Sequence, residues 1–183
     1  PISLSAFYRI SNPELTFTSI HGPAERVEDA IATRHSVRHY EDRPVERSEL
    51  EAVFHGALRA PSWKNAQPWR VHIVTGGVRD RLAGKLVAAA QSSEAAPDTT
   101  WPEHYPADIN RRMFQLGMQI YGVAGIDRKD KAARDAFMLR NFEFFGAPAA
   151  AFLTTACETS FYIGVDLGCY LQTVMLLARA RGL

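Results

Sequence analysis

The sequence predicts one globular domain of mixed helix and strand, and three observations carry that reading. Apolar residues recur at helical spacing in several stretches, above all Leu50, Val53, Phe54, Ala57 and Leu58. Two short runs rich in β-formers, WRVHIVT at Trp69–Thr75 and AAAFLTTA at 149–156, lie far apart in the chain with helical segments between them. The chain has 183 residues, 46% hydrophobic and 22% charged, which suits a single soluble domain of the usual 100 to 200 or so residues.

Taken in order, residues 1–24 contain Pro13, Gly22 and Pro23 without sustained periodicity and read as an arm, leaving 25–183 as the domain. Val27, Ala30 and Ile31 mark a first helix ending near Thr33. A second is expected over about 47–59, begun near Glu46 or Ser48 and stopped before Pro61, because a residue preceding proline is pushed out of helical geometry. Trp69–Thr75 is a strand ended by Gly76 and Gly77. The alanine-rich stretch 79–91 is helical, and 96–106, with its prolines and polar residues, is a long loop. Helices follow at about 109–121 and 129–145, the latter capped by Asp127, with Phe142, Phe144 and Phe145 assigned to the core. After Pro148 comes a buried strand, then a helix over 161–181 that is apolar on nearly every side. Such a helix must be enclosed, within a core or between subunits. Gly164 and Gly168 leave a bare stripe on it where a second backbone can approach, which favours a dimer helix over an intrachain one.

Several function classes are disfavoured. The net charge is +1 and the basic residues are dispersed, so nucleic acid is not an expected partner. Asp166, Gln172, Thr173 and Arg179 interrupt the last apolar stretch, and no membrane span is expected. The amino terminus lacks a basic start and an apolar core, so a signal peptide is not expected. Cys157 and Cys169 alone indicate no disulfide framework, and a cytoplasmic setting follows. There is no GxGxxG after a strand, no GxxxxGK, HExxH or GxSxG, and the six histidines show no zinc-ligand spacing.

Two segments carry chemistry. In RHSVRHY, Arg34, Ser36 and Arg38 occupy every second position, so an extended backbone would put two guanidinium forks and a hydroxyl on one face. That donor set suits a phosphate monoester. It is equally the pattern of a solvated surface strand. About 22 residues on, the chain reads APSWKNAQPW, where Ser62, Asn65 and Gln67 combine donors and acceptors between the restricting Pro61 and Pro68. Such a loop can read a heterocycle edge, or it can simply satisfy its own backbone.

In this order the two segments resemble the FMN-dependent nitroreductase family. The matching residues are Arg34, His35, Ser36, Arg38, Pro44 and Val45, then Ala60, Pro61, Ser62, Asn65, Gln67, Pro68 and Trp69. Arg111, Arg112, the run IYGVAGIDRKDKAARD and FFGAP resemble the branch that reduces nitrobenzoates and related nitroaromatics, so the resemblance covers roughly 27–183. It implies an α+β subunit, a three-layer α/β/α sandwich with a central, mostly antiparallel sheet, paired as a homodimer with FMN at the subunit interface. Arg34, Ser36 and Arg38 would then hold the flavin phosphate or its polar edge, with His35 contributing through its backbone. Pro61, Ser62, Trp63 and Asn65 would line the partner's flavin. The resemblance implies NAD(P)H as electron donor and a nitroaromatic, or a quinone, as acceptor, taking turns in a ping-pong cycle through flavin N5. No side chain is expected to serve as an obligatory nucleophile or general acid. Long loops commonly select substrates, which makes Trp101, His104 and Tyr105 candidates for the substrate mouth. The family usually continues for several tens of residues beyond the helix ending ARARGL, in a tail that contacts the flavin and the partner subunit. The chain as given, ending at Leu183, is therefore expected to hold flavin and turn over less well. The alternative is a non-catalytic, dimeric flavin-binding or interaction protein.

Overall fold

A computed structural model describes residues 26–183; the arm expected at 1–24 lies outside the described residues. The chain divides into two compact units, one built from residues 26–38, 42–75 and 148–183, the other from 39–41 and 76–147.

The first unit contains both chemistry-bearing segments. Helix α1 spans Val27–Thr33 and α2 spans Arg47–Ala57. Strand β1, Trp69–Thr75, pairs antiparallel with β2, Ala149–Thr155, from Trp69 opposite Thr155 to Thr75 opposite Ala149. Both strands were legible from their β-forming composition. Helix α6, Phe161–Ala180, packs on α1 and α2, and its N-terminus is capped by Ser160 Oγ, which accepts from the Ile163 amide at 3.4 Å.

The core lies where α2, β1 and α6 meet. Ala57 and Tyr170 are fully buried, joined by Ala60 and Trp69, with Phe54, Val71, Leu153, Leu167, Val174 and Leu177 packed around them. The Trp69 and Tyr170 rings stack with centroids 4.8 Å apart, an arrangement contributing about 0.5–1.5 kcal/mol beyond area burial. The Tyr170 hydroxyl donates to the Phe54 carbonyl at 3.1 Å, so its polar tip is satisfied within the core. Along α1 only Ala30 is buried; Val27 and Ile31 are exposed, so the stripe seen in sequence is not covered within this unit.

The expectation that α6 spans no membrane rests on its polar interruptions. Over an 18-residue window its mean hydropathy reaches 1.4, and by length and composition it could cross a membrane; the polar interruptions do not disqualify it on that test. Its polar residues are instead used within the chain. Asp166 is 5% exposed and bonded to the loop before β1, and Arg179 Nε donates to Thr33 Oγ1 at 2.8 Å.

In the second unit, α3 spans Gly76–Ser92, α4 spans Ala107–Val123 and α5 spans Lys131–Leu139. Gly76, at φ +50°, turns the chain directly from β1 into α3, so the glycines that end the strand also begin the helix. Helix α5 is shorter than expected, and its cap is Asp130, whose Oδ1 accepts from the Ala133 amide at 2.9 Å. Asp127 instead accepts from the Lys129 amide in the preceding turn. After Leu139 the chain passes through turns into Phe144–Gly146, with Phe144 and Phe145 at φ +55° and +53°. Helical continuation is impossible through those angles. Phe145 and Phe137 pack at 5.9 Å under the Arg140 guanidinium, whereas Phe142 is exposed and not a core residue.

Candidate flavin site

The candidate phosphate segment follows α1 directly. Thr33 fixes the exit: its hydroxyl donates to the Asp29 carbonyl at 2.6 Å and accepts from Arg179. Arg34 then turns extended, at φ −64° and ψ 129°, with its amide still bonded to the Ala30 carbonyl. Beyond it the segment joins no sheet, and bends set in at Arg38 and His39. The strict strand alternation inferred from sequence is therefore not how the donors are presented. Arg34 and Arg38 are half-buried and Ser36 is exposed. Arg38 Nη1 donates back to the Ser36 carbonyl at 3.2 Å, and His35 Nδ1 donates to the Thr33 carbonyl at 3.1 Å. The result is a short, self-bonded stretch with two half-buried guanidiniums, a donor set fit for an anion.

The second segment is more tightly constructed. Ser62 is extended, and Trp63–Asn65 form a single 3₁₀ turn. Lys64, Asn65 and Gln67 all sit at positive φ, +50°, +57° and +46°. Left-handed geometry at a non-glycine residue costs on the order of 1–3 kcal/mol, with Asn the most tolerant, and persists only where surrounding contacts impose it. Those contacts are specific. The Gln67 amide donates to Ser62 Oγ at 3.0 Å, Gln67 Nε2 donates to Asn65 Oδ1 at 2.9 Å, and the Trp63 amide donates to Asp166 Oδ1 at 3.0 Å. The Trp63 ring packs against Tyr162, centroids 5.2 Å apart. Ser62 thus satisfies a backbone amide of the loop, whereas the Gln67 and Asn65 side chains bond each other rather than neighbouring backbone groups. The same bonds also orient Asn65, whose Oδ1 is occupied and whose Nδ2 is left to donate outward. Asn65 and Trp63 are exposed and Ser62 is half-buried, so the turn presents a donor beside a flat aromatic wall.

Asp166, Tyr162 and Arg179 were not singled out as site residues from sequence. The available signal was physical. A lone carboxylate on a helix apolar all round must find a donor if it is buried.

The substrate candidates Trp101, His104 and Tyr105 lie in the second unit, in the exposed loop before α4. Trp101 is 79% exposed, and the Tyr105 carbonyl accepts from Asn110 Nδ2 at 2.9 Å. Arg112 belongs to an exposed pair on α4. Its bond to Asp108 holds that carboxyl below its ordinary range.

Comparison with known proteins gives the family. The nitroreductase family model matches residues 31–183. A 4-nitrobenzoate reductase of Pseudomonas putida is 35% identical over 153 residues, covering 84% of this chain and 67% of the relative. The nitroreductase NfnB of Mycolicibacterium smegmatis is 34% identical over 161 residues, covering 87% and 69%. Among solved structures, FMN-dependent NfnB from Mycobacterium smegmatis in complex with NADPH superposes with a TM-score of 0.80 at 34% identity, over 84% of this chain and 69% of that one. The FMN- and NADPH-dependent NfnB from Sphigopyxis sp. strain HMH gives 0.77 at 38%, over 83% and 70%. With both motifs inside the matched span and the fold reproduced, this chain belongs to the nitroreductase family.

Proposed function

We propose that this chain is an FMN-dependent NAD(P)H oxidoreductase that reduces nitroaromatic compounds, and quinones by the same route, working as a homodimer in the cytoplasm. The observation that carries the reading is that both motifs sit on one unit, each tied to α6: the phosphate segment through Thr33 and Arg179, the Ser62–Gln67 turn through Trp63 and Asp166. Thirteen residues of helix separate those ties, about 20 Å at 1.5 Å per residue.

The donors fit the cofactor. Arg34 and Arg38 supply charge-assisted hydrogen bonds to a phosphate, with Ser36 as a third donor. Ser62, Asn65 and the Pro61–Trp63 backbone meet a mixed heterocycle edge. FMN, when bound, supplies the redox chemistry between a nicotinamide donor and a nitroaromatic acceptor that use the same face in turn. The chain's own part is binding, orientation and charge. Arg38, where it takes the polar edge beside the phosphate, would set a cation near the charge that grows on reduction. The exposed Trp63 ring, on the same unit, offers flat apolar surface to an aromatic substrate.

Homodimerism is supported by α6. Phe161, Val165 and Leu171 on it are 80%, 47% and 48% exposed, and beyond the chain neighbours and the helix's own backbone no described atom lies within 4 Å of a Cβ built at Gly164 or Gly168. Among the relatives it matches, the names 4-nitrobenzoate reductase and nitrobenzene nitroreductase point to the substrate class.

The test is spectroscopic. Protein purified with FMN should lose its yellow band on anaerobic addition of NADPH and regain it on addition of a nitrobenzoate. A bound flavin that NADPH leaves unchanged would overturn the enzyme reading in favour of a flavin-binding protein.

A further inference from the structure

We infer that Asp166 is a positioning residue for the flavin-facing turn: from within α6 it holds the entry to Trp63–Asn65, whose last two residues are left-handed. The inference deepens the proposed function and rests on it.

Three observations meet at this residue. Asp166 is the one charged residue buried among the described residues, at 5% exposure, on a helix that is otherwise apolar over its first three turns. Its Oδ1 accepts from the Trp63 amide at 3.0 Å, across a sequence separation of 103 residues. Its Oδ2 is buried without a hydrogen-bond partner. Burying a carboxylate with one oxygen unsatisfied is costly, and an apolar side chain would pack this position at less cost. What the apolar side chain could not do is accept from the Trp63 amide.

That amide is the right one to hold. Trp63 opens the 3₁₀ turn, and Lys64 and Asn65, which follow it, are both left-handed. Fixing the entry amide fixes the plane from which those two residues depart. One helical turn away, at i−4 from Asp166, the Tyr162 ring packs on the Trp63 ring, so the same face of α6 holds both backbone and side chain of this residue. The remaining bonds, Gln67 to Ser62 and to Asn65, lie within the loop and close it on itself. Asp166 therefore supplies the polar tie between the turn and the scaffold. A side chain that must meet a cofactor edge within a few tenths of an ångström needs such a tie.

The test uses Asp166→Ala and Asp166→Asn in the full chain, with a readout that needs no flavin. In FMN-free protein, amide exchange at Trp63 and tryptic cleavage after Lys64 should be roughly ten- to a hundredfold faster in Asp166→Ala, the range expected for one lost hydrogen bond to a charged group. Asp166→Asn keeps an acceptor and should return both rates to within about threefold of wild type. In FMN-loaded protein, Asp166→Ala should retain flavin through Arg34 while its visible band shifts and kcat falls more than KM rises, again with recovery in Asp166→Asn. Wild-type exchange and cleavage rates in Asp166→Ala would overturn the positioning role, as would equal damage in both variants. These flavin-free results stand whether or not wild-type protein responds to NADPH. Failure of the proposed function is thus told apart from failure of this inference.

Discussion

Arg34 and Tyr170 show single side chains divided between ligand and core. Arg34 is half-buried at the exit of α1, placed there by the Thr33 and Ala30 bonds rather than by a sheet. Arg34→Ala should weaken FMN binding by roughly 10- to 150-fold, the equivalent of about 1.5–3 kcal/mol for a charge-assisted hydrogen bond. Flavin fluorescence titration measures it, and unchanged affinity would remove the phosphate assignment. Tyr170 is a stability residue. Burial pushes its hydroxyl above the ordinary 10.0, so the folded chain holds that proton more tightly than the unfolded one. The resulting stability is complete below the ordinary value and is lost as pH rises through the folded one. Tyr170→Phe should cost about 0.5–1.5 kcal/mol at neutral pH, through loss of the bond to the Phe54 carbonyl. It should also flatten the alkaline decline seen in urea unfolding on either side of the tyrosine's ordinary range.

At the scale of elements, caps and close approaches decide boundaries. Asp127 and Asp130 stand three apart, and the cap that the sequence assigns to Asp127 is made by Asp130. The reason lies upstream. Gly125 at φ +68° and the Ile126 amide bonded to the Tyr121 carbonyl close α4, and the Asp127–Asp130 turn must follow before a new helix can begin. Asp130→Ala should destabilise the protein by about 0.5–2 kcal/mol in thermal unfolding, with a loss of helical circular dichroism confined to about one helix. Between α2 and α6 the approach is tight at Gly56, where a Cβ would lie 2.9 Å from Leu177 Cδ1. Alanine there displaces only the end of a leucine, whereas Gly56→Leu must overpack the interface and should cost about 1–3 kcal/mol in denaturant unfolding. Helix existence was legible in sequence from the stripe of Val53, Phe54 and Ala57. The early end of α5 was not, because the left-handed Phe144 and Phe145 carry no local signal that distinguishes them from a helix of phenylalanines.

At the scale of the whole molecule, α6 organises the first unit. It completes the core with Tyr170, ties both motifs at different ends, and still leaves Phe161, Val165 and Leu171 uncovered. On the homodimer reading, a large residue on the bare stripe should separate the subunits. Gly168→Leu is expected to raise the dimer dissociation constant roughly five- to 150-fold, the equivalent of about 1–3 kcal/mol of overpacking. Light scattering across a dilution series reads this directly, and an unaltered dimer would place the interface elsewhere.

Composition and periodicity were enough to determine most helices and both strands, and the resemblance of two short motifs in order was enough to give the family, because each is written in residues close together in the chain. What tertiary structure alone decided is how those segments are held. Asp166 under Trp63, Arg179 on Thr33 and Tyr170 on Trp69 join residues about a hundred or more positions apart. A buried polar or aromatic group takes whichever partner the fold brings within reach, and that choice is invisible until the helix and the loop have met.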